Sequence, residues 1–474
     1  MNSTDYPPHR SGSLAASATS LKSVDIPLEC VPGPGSKAAG LPEKIGKYRV
    51  LDQIGTGSTS DVFLCHDDFQ DRTVAIKRIK PALPGDGPHS GVHSFAAEAA
   101  LVGKLNHPYV VKLLDAVDDR AGPYLVMEYV AGSTLRAHCR PDQLLPLEQI
   151  MELSFKCAMA LNYVYHQGLI HRDVKPANLL TVMRNGQITD IKISDFGSVL
   201  NLSTEATQVY RVGSLAYMSP EQLDGAELDC RADMYSLAAV MYHLIAGRPP
   251  FDAQAHSALM NQIFHAKAPA LTALRPGLSP AVDEFIQRAL SKTPGARYSS
   301  WEQFARSLTQ LVTDQAVPRS SGQVVLESER FNLLRQLDFF SHFGDVELWE
   351  VVHRAKWERF PVGHALYKKG EEGRSFHIIA TGMVEVFREG KKVAELGAGT
   401  SVGEMAYLAP SPDLRYHSAD VMVTEAATTI SFHPETLAQV NPGCRHLFDK
   451  AFIRVLVRRL HAAHEALAHP RRIL

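Results

Sequence analysis

The chain has 474 residues, of which 45% are hydrophobic and 21% charged, and its formal net charge is -2. This length is too great for one core and predicts about three units, while the near-neutral charge gives no general reason to expect nucleic acid as a partner. Six scattered cysteines argue against a disulfide framework or a zinc site, and the apolar runs are too short to span a bilayer. We therefore expect a cytoplasmic protein.

The N-terminal segment has the composition of a disordered arm. Residues 1–45 are rich in serine, proline, glycine and alanine and lack helical or strand periodicity. Such a segment buries too little apolar surface to offset the entropy lost on ordering. We predict a disordered arm over 1–45 and a folded domain over 46–313.

Two short strands flank a glycine-containing turn at the start of this domain. Tyr48–Leu51 and Asp61–Leu64 have the pattern of hairpin strands, and glycine in the turn lets a backbone approach a phosphate closely. Glycine turns also join ordinary hairpins. In addition, Ser60 stands where the third glycine of a Gly-x-Gly-x-x-Gly motif would be.

A lysine ends the third predicted strand, Val74–Lys77. A lysine in this place commonly lays its stem along apolar surface and keeps its ammonium group in water. Here a helix predicted at 94–105 follows and carries Glu98. A Lys77–Glu98 pair that holds the α- and β-phosphates of a nucleotide is the specific alternative, and we favour it.

Two further strands are predicted at 110–116 and 124–130. The second ends in Glu128-Tyr129-Val130, before Ala131-Gly132, and this segment is interpreted as a hinge whose backbone groups bond an adenine edge. Helical periodicity then dominates, most clearly over 147–167.

The segment His171–Asn178 reads His-Arg-Asp-Val-Lys-Pro-Ala-Asn and places a carboxylate, an ammonium group and an amide on one short loop. Phosphoryl transfer needs these groups close together. Asp173 would accept the proton of a substrate hydroxyl, Lys175 would neutralise the γ-phosphate, and Asn178 would hold Mg²⁺. A capped surface turn is the alternative, and the Asp-Phe-Gly segment at 195–197 argues against it.

With these motifs, residues 47–313 resemble a eukaryotic-type serine/threonine protein kinase domain. The resemblance implies a bilobal α+β fold with ATP and Mg²⁺ in the cleft. It makes Lys77 and Glu98 the phosphate-holding pair, Asp173 the catalytic base, and Asn178 and Asp195 the metal ligands. The other residues that would contact the nucleotide are Ile54, Gly55, Thr56, Gly57, Ser58, Thr59, Ser60, Asp61, Val62, Glu128 and Val130.

The same resemblance assigns structural roles further along the chain. Lys175 favours serine and threonine over tyrosine as acceptors, because serine/threonine kinases place a lysine at this offset. Residues 213–221 resemble the end of an activation segment. Within them Glu221 would pair with Arg297, and Asp233 would brace the catalytic loop.

Arg172, directly before the predicted base, suggests control by phosphorylation. An arginine at this position commonly binds a phosphate on the activation segment through a charge-assisted pair. We hypothesise that phosphorylation of Thr204 or Thr207 orders the loop 198–211. The alternative is that Arg172 packs and pairs with a carboxylate.

A second domain follows a predicted linker at 314–327. From 328 to 455 a helical start gives way to short alternating strands separated by glycines, which predicts an antiparallel β-barrel or jelly roll with flanking helices. An amphipathic basic helix begins near Phe448 and continues into the tail 456–474, and docking against the barrel is its plainest role. The basic residues on its predicted polar side are Arg454, Arg458 and Arg459.

Gly403-Glu404-Met405-Ala406, followed by Ser418-Ala419, resembles the signature of a cyclic nucleotide-binding domain. The resemblance implies that the turn before a short helix cradles the cyclic phosphate, that the glutamate binds the ribose 2′-hydroxyl, and that an arginine before Ser-Ala pairs with the phosphate. Here His417 stands at the arginine position, and Arg415 lies two residues earlier. The candidate ligand residues are Gly403, Glu404, Met405, Ala406, Arg415, His417 and Ser418.

The missing arginine limits what this second site would bind. A hydrogen bond to a charged group contributes roughly 1.5–3 kcal/mol, so its loss weakens binding about ten- to 150-fold. His417 would recover part of this only when protonated. The open alternatives are cyclic AMP or cyclic GMP, another small ligand, or a barrel kept for docking or dimerisation.

Together these features predict an active serine/threonine protein kinase regulated by a C-terminal sensor barrel. A nucleotide-binding scaffold without turnover is the alternative, and the intact catalytic residues count against it. A constitutively active kinase whose barrel only dimerises is a third hypothesis. We expect protein substrates, ATP, a small-molecule second messenger and a homodimer as partners, and neither nucleic acid nor a membrane span.

Overall fold

The computed structural model describes residues 41–57, 60–80, 99–100, 102–119, 122–196, 200–201, 212–318, 326–409 and 411–468. They form a two-lobed unit followed by a second unit of helices and a β-barrel, which confirms the predicted fold class. Within the described part of the chain, no helix has the length and apolarity needed to cross a bilayer.

The small lobe is a six-stranded antiparallel sheet with the strand order β1-β2-β3-β4-β6-β5. Its strands are β1 (Lys44–Ile45), β2 (Tyr48–Thr56), β3 (Ser60–Asp67), β4 (Arg72–Ile79), β5 (Leu113–Val117) and β6 (Tyr124–Glu128). Its apolar residues Val74, Ile76 and Val126 are fully buried. Strand β1 takes in the last two residues assigned to the N-terminal arm, and residues 1–40 of that arm lie outside the described residues.

The large lobe is mainly helical. Its elements are α1 (Leu147–His166), β7 (Leu169–Ile170), β8 (Leu179–Arg184), β9 (Gln187–Ile193), β10 (Leu200–Asn201), α2 (Pro220–Asp224), α3 (Cys230–Ala246), α4 (His256–His265), α5 (Leu271–Leu274), α6 (Pro280–Ala289) and α7 (Trp301–Thr313). Helices α1 and α3 form the centre and are buried along most of their length. Local sequence sets the ends of α3, because the Asp229 side chain accepts from the N–H of Arg231 and Gly247 takes a left-handed conformation.

The second unit starts with helices that precede the barrel. Its elements are α8 (Glu327–Gln336), α9 (Asp345–Arg354), β11 (Lys356–Phe360), β12 (Ala365–Tyr367), β13 (Phe376–Arg388), β14 (Lys391–Leu396), β15 (Ser401–Val402), α10 (Glu404–Tyr407), β16 (Asp420–Phe432), α11 (Pro434–Ala438) and α12 (Pro442–Ala468). The long strands β13 and β16 pair antiparallel at its centre and hold the shorter strands at their edges. Its interior contains Ile379, Val384 and Val423.

Helix α12 docks against the barrel through aromatic side chains. The Phe448 ring lies 4.9 Å from that of Phe432, and the Phe452 ring 4.8 Å from that of Phe376, between centroids. The predicted docking is therefore confirmed. Of the three arginines predicted on its polar side, Arg458 is largely exposed and pairs with the exposed Asp338, whereas Arg459 reaches the buried Glu404. Arg454 donates to the Phe339 carbonyl.

The two units share one continuous hydrophobic core. Phe331 of α8 and Trp349 of α9 pack against Phe155 of α1, with ring centroids 6.1 and 6.2 Å apart. Trp349 also meets Tyr109 of the two-lobed unit edge-on at 4.8 Å. The helices before the barrel thus pack directly onto the large lobe.

Candidate active site and ligand site

Lys77 connects the two lobes at the predicted nucleotide cleft. It lies in β4, paired with Val62 of β3 and Leu125 of β6, and is largely buried between these strands. Its Nζ donates to Oδ1 of Asp195 at 2.8 Å. Glu98, its predicted partner, lies outside the described residues. The lobes therefore meet through an ion pair between two predicted site residues.

The glycine turn is closed by its own backbone and by a lysine. The N–H of Gly57 donates to the carbonyl of Ser60 at 2.7 Å. Lys80 donates to the Gly57 carbonyl at 2.8 Å and pairs with Asp61 at 3.0 Å. Lys80 was missed by the sequence motifs, because a basic residue at a strand end carries no specific signal. The tip of the turn, 58–59, lies outside the described residues.

The other predicted residues of this segment lie along the hairpin that the turn connects. Ile54, Gly55 and Thr56 end β2, whereas Ser60, Asp61 and Val62 begin β3. The hairpin pairs Gly55 with Val62 and Thr56 with Asp61. The described part of the segment is therefore a β-hairpin, as predicted.

The catalytic loop brings together the three side chains that its spacing singled out. Lys175 donates to Oδ2 of Asp173 at 2.8 Å, and Nδ2 of Asn178 donates to the same oxygen at 2.9 Å. Nδ2 of Asn178 also donates to the Asp173 backbone carbonyl at 2.8 Å. The Asp173 carboxylate is thus held in one orientation by two neighbours on its own loop.

Asp233 fixes the backbone of this loop from below. Its carboxylate oxygens accept the N–H groups of His171 and Arg172, each at 2.8 Å. Burial raises the pKa of Asp233, and the charge of His171 and these backbone donors oppose that rise. Arg172 has a positive φ of 65°, and its carbonyl accepts from Gln222. A non-glycine residue keeps this conformation only where its surroundings enforce it.

The two predicted metal ligands lie on adjoining segments. Ser194 donates from its N–H and from its hydroxyl to the Asn178 carbonyl, at 2.9 and 3.0 Å. Asp195 follows with a φ of 62°. Because Nδ2 of Asn178 is used on Asp173, its amide oxygen remains for a cation. A carboxylate and an amide oxygen are the hard donors that Mg²⁺ prefers, so this donor set fits the metal.

The predicted hinge follows β6 and contacts the large lobe. The Glu128 N–H donates to the Lys112 carbonyl at 3.0 Å, and its side chain pairs with Lys192 at 2.7 Å. Val130 comes two residues later. A Cβ on Gly132 would lie 1.8 Å from the Thr181 carbonyl, so only glycine fits here. The connection between the lobes is thus pressed against β8.

The residues predicted for control of the activation segment are only partly described. Thr204 and Thr207 lie outside the described residues, so their phosphorylation stays a prediction. The predicted pair of Glu221 with Arg297 is present as a two-pronged contact at 2.6 and 2.8 Å. It anchors the end of the segment to a fully buried arginine.

In the barrel, the Glu404 carboxylate is paired with a cationic side chain of α12. Glu404 is fully buried, and Nη1 of Arg459 donates to its Oε1. Nη2 of Arg459 donates to the Ser401 carbonyl at 2.6 Å. Arg459 was predicted on the polar side of the helix and not as part of this site. The carboxylate expected to bind a ribose hydroxyl thus already has a partner.

His417 lies inside the barrel site, whereas Arg415 lies at its surface. The His417 ring centroid is 3.9 Å from that of Tyr367, and burial lowers the pKa of His417, opposed by Glu371. Arg415 is exposed, and its carbonyl accepts from the N–H of Gly373. The residue at the arginine position is therefore neutral near pH 7 and a weak partner for a phosphate.

The remaining candidates of this site divide by exposure. Ala406 is buried, and a Cβ on Gly373 would lie 2.3 Å from its methyl group. Gly403 has a positive φ of 82°, which favours glycine. Met405 and Ser418 are exposed. Ala406 and His417 thus both border Gly373, and Gly403 lies against the Tyr367 ring that packs on His417, whereas Met405, Arg415 and Ser418 are exposed.

Two family profiles match the chain. The profile described as a protein kinase domain matches residues 48–310, and the one described as a cyclic nucleotide-binding domain matches residues 357–440. The kinase profile covers more than half of the chain, which therefore belongs to the protein kinase domain family. Both resemblances inferred from the motifs are confirmed.

The curated relatives bear serine/threonine kinase names. Serine/threonine-protein kinase PknB of Mycobacterium leprae is 34% identical over 300 residues, which are 62% of this chain and 47% of PknB. A probable serine/threonine-protein kinase of Streptomyces coelicolor is 32% identical over 280 residues, 57% of this chain and 41% of the relative. The chain thus spans less than half the length of these relatives.

Among solved structures, the PknI kinase domain of Mycobacterium tuberculosis is 29% identical to this chain. The likeness covers 58% of this chain and 99% of the PknI domain, with a TM-score of 0.45.

Proposed function

We propose that this chain is a serine/threonine protein kinase that transfers the γ-phosphoryl group of ATP to hydroxyl groups of protein substrates. One observation carries the proposal. The Asp173 carboxylate is oriented by Lys175 and Asn178 on a loop whose backbone is fixed by the buried Asp233. An ordinary surface turn would not require a buried carboxylate to hold its backbone.

Each of these groups has a task in the reaction. Asp173 accepts the proton of the substrate hydroxyl as its oxygen bonds to the γ-phosphorus and the bond to the β–γ bridging oxygen breaks, which releases ADP. Lys175 neutralises charge on the transferred group, and Lys77 binds the phosphates. Mg²⁺, held by Asn178 and Asp195, would stabilise the negative charge on the phosphates.

A transfer assay tests the proposal on the full chain. Labelled ATP with Mg²⁺ and a generic basic protein should give phosphoserine or phosphothreonine, and Asp173→Ala should abolish the signal. Asp142→Ala, which removes an exposed carboxylate paired with Arg140, is the matched control and should retain activity. Nucleotide binding without transfer by the wild-type chain would support the scaffold alternative instead.

We further propose that the barrel unit regulates the kinase through the junction between the units. Tyr109 accepts from the N–H of Ile193 with its carbonyl, and Ile193 stands two residues before Asp195. The Tyr109 hydroxyl lies 3.0 Å from Nε2 of His353 on α9. A shift of α9 is thereby coupled to the strand that positions a metal ligand.

A buried ion cluster supports the same junction. Lys156 of α1 is 1% exposed and pairs with Asp190 at 2.6 Å and with Glu327 of α8 at 2.7 Å. Burial alone would raise the pKa of Glu327, but His353 and Lys156 outweigh it and lower that pKa to about 2. The Glu327 carboxylate therefore remains ionised and holds α8 against the large lobe at neutral pH.

We propose a cyclic nucleotide, cyclic AMP or cyclic GMP, as the regulatory ligand of weak affinity. The profile match at 357–440 and the burial of Glu404 support a ligand site, and the neutral His417 limits its strength. Calorimetric titration of the full chain, saturated with a non-hydrolysable ATP analogue to block the kinase cleft, tests this. Binding that Glu404→Gln weakens supports it, and no heat contradicts it.

Regulation of the kinase by the barrel unit is measured separately, as a change in the rate of phosphoryl transfer. If the junction transmits a signal, a saturating cyclic nucleotide changes the rate of phosphoryl transfer, and Tyr109→Phe/His353→Gln reduces that change while leaving transfer measurable. Equal rates with and without the nucleotide, in a sample that binds it, would leave the barrel as a docking module. A cytoplasmic location stays an expectation from composition.

A further inference from the structure

The outer side of α12 carries an apolar surface that the described residues leave uncovered. Ile453, Leu456, Val457 and Leu460, here called the outer stripe, are between 39% and 60% exposed. On the side of the helix that faces the barrel, Phe448 and Phe452 are buried. Helix α12 is therefore apolar on two sides, and within the described part of the chain only one of them is packed.

The spacing of the outer stripe is that of a helix-pairing seam. Its residues follow each other at intervals of three, one and three, so they form one continuous row along the helix. Rows of this spacing interlock side chain by side chain with a second helix. An isolated exposed leucine needs no partner, but four neighbouring aliphatic residues in one row indicate one.

Helix α12 also continues past the body of its own domain. Residues 460–465 are all exposed, although the helix runs on to Ala468. A helical segment without tertiary contacts is marginal in water, because most helical stability in proteins comes from packing of one face. A partner along the outer stripe would supply that packing.

We propose that the outer stripe is a self-association surface on which a second copy of this chain packs its own outer stripe in the antiparallel direction. Two-fold antiparallel pairing sets Leu456 against Val457 of the other copy and Ile453 against Leu460. This pairing makes the surface self-complementary, as a two-fold interface requires.

The flanking charges select both the partner and the direction. Asp449 and Lys450 are exposed one turn before the stripe, and His464 and Glu465 are exposed one turn after it. In the antiparallel pair Asp449 of one copy faces His464 of the other, whose ring can donate a hydrogen bond to it, and Lys450 lies within one helical turn of Glu465, so unlike charges are close. A parallel pair would set Asp449 against Asp449, which is unfavourable.

The oligomeric state of the full chain tests the proposal. Sedimentation over a concentration series should give twice the mass of one chain for the wild type and the mass of one chain for Leu456→Glu/Leu460→Glu. Glutamate is a good helix former, so circular dichroism should change by no more than the few residues at the end of α12 that lose their partner. Val362→Glu/Val393→Glu, which charges two other exposed valines, is the matched control and should stay dimeric. A monomeric wild type, or a double variant that remains dimeric, overturns the proposal.

Disulfide trapping tests the direction and does not depend on stability. The described cysteines are buried, and Cys30 is replaced by serine in every variant. Under mild oxidation Leu456→Cys should cross-link with itself at the centre of the pair, and Ile453→Cys/Leu460→Cys should cross-link as well. Ile453→Cys alone should remain uncross-linked. Efficient trapping of Ile453→Cys alone would show parallel pairing and overturn the antiparallel assignment.

Discussion

The catalytic cleft and the barrel site differ in how they hold their charged groups. In the cleft, Lys77 and Asp195 pair with each other where the two lobes meet, and Asp195 remains about one-third exposed. In the barrel, Glu404 is fully buried and bonded to Arg459 of the same chain. A substrate can replace the first kind of pair readily, whereas a ligand must compete with α12 for the second. We therefore expect the motifs to predict function more reliably in the cleft than in the barrel.

Removing the strand lysine should have the largest effect. Lys77→Met removes this cation from the Asp195 carboxylate and one hydrogen-bond donor from the phosphates. Loss of one charge-stabilising donor costs about 10²–10³-fold in turnover. The measurement is the initial rate of phosphoryl transfer at saturating ATP. Lys104→Met, which removes a lysine exposed on the same lobe, should change the rate little. A Lys77→Met variant as active as the wild type would disprove this role.

Restoring an arginine in the barrel should produce the next largest effect. His417→Arg places a permanent cation where the neutral imidazole stands, and a hydrogen bond to a charged group contributes about 1.5–3 kcal/mol. Affinity for cyclic AMP should rise about ten- to 150-fold, measured by calorimetry on the full chain. Arg415→Ala, which removes the exposed neighbour, should leave affinity unchanged. If Arg415→Ala instead abolishes binding, Arg415 reaches the phosphate. In that case His417 does not indicate that the phosphate site has been lost.

The contact between Glu404 and α12 should have a smaller effect on stability. Substitution of the adjacent Arg458 and Arg459 separates this contact from an ordinary surface ion pair. Arg459→Met leaves the buried Glu404 without its cation and should lower the free energy of unfolding of the barrel unit by about 1–3 kcal/mol. Arg458→Met breaks only a pair with the exposed Asp338 and should cost under about 1 kcal/mol. Urea unfolding followed by tryptophan fluorescence measures both. Equal costs would mean that Glu404 does not depend on α12.

Arg459→Met should also affect ligand binding in the opposite sense. If Arg459 and a ligand compete for Glu404, the variant should bind cyclic AMP more tightly even though it is less stable. Weaker binding by this variant would show that Arg459 supports the ligand site and does not block it.

The sequence predicts contacts between residues that are close along the chain better than contacts between residues that are far apart. Asp173, Lys175 and Asn178 were predictable because they lie on one loop, so their spacing alone brings them together. Glu404 and Arg459 are 55 positions apart, and Lys156 and Glu327 are 171 apart. No periodic pattern links such residues, because packing of whole elements decides which side chains meet. For this reason the family motif predicted Glu404 as a ligand residue but not its internal partner.

The barrel site should also give the smallest effect, a dependence of stability on pH. His377 donates or accepts a hydrogen bond with the Tyr367 hydroxyl at 2.6 Å inside the barrel. Burial lowers the pKa of His377 from 6.5 to about 4, and Glu358 opposes this. Between these values the unfolded chain binds a proton that the folded chain does not. Stability from this group is therefore complete above pH 6.5 and is lost as the pH falls towards 4.

The slope of this loss cannot exceed about 1.4 kcal/mol per pH unit, because a single proton is involved. Urea unfolding of the barrel unit between neutral pH and about pH 5 measures it. In this range the Glu327 carboxyl contributes little slope, because it titrates mainly between its ordinary pKa of 4.5 and its folded pKa of about 2. His377→Gln keeps a hydrogen-bonding group for Tyr367 and removes the titration, so its stability should fall less steeply. If both proteins lose stability in parallel, another buried histidine of the barrel sets the pH dependence, and His417, whose pKa burial also lowers, is the next to replace.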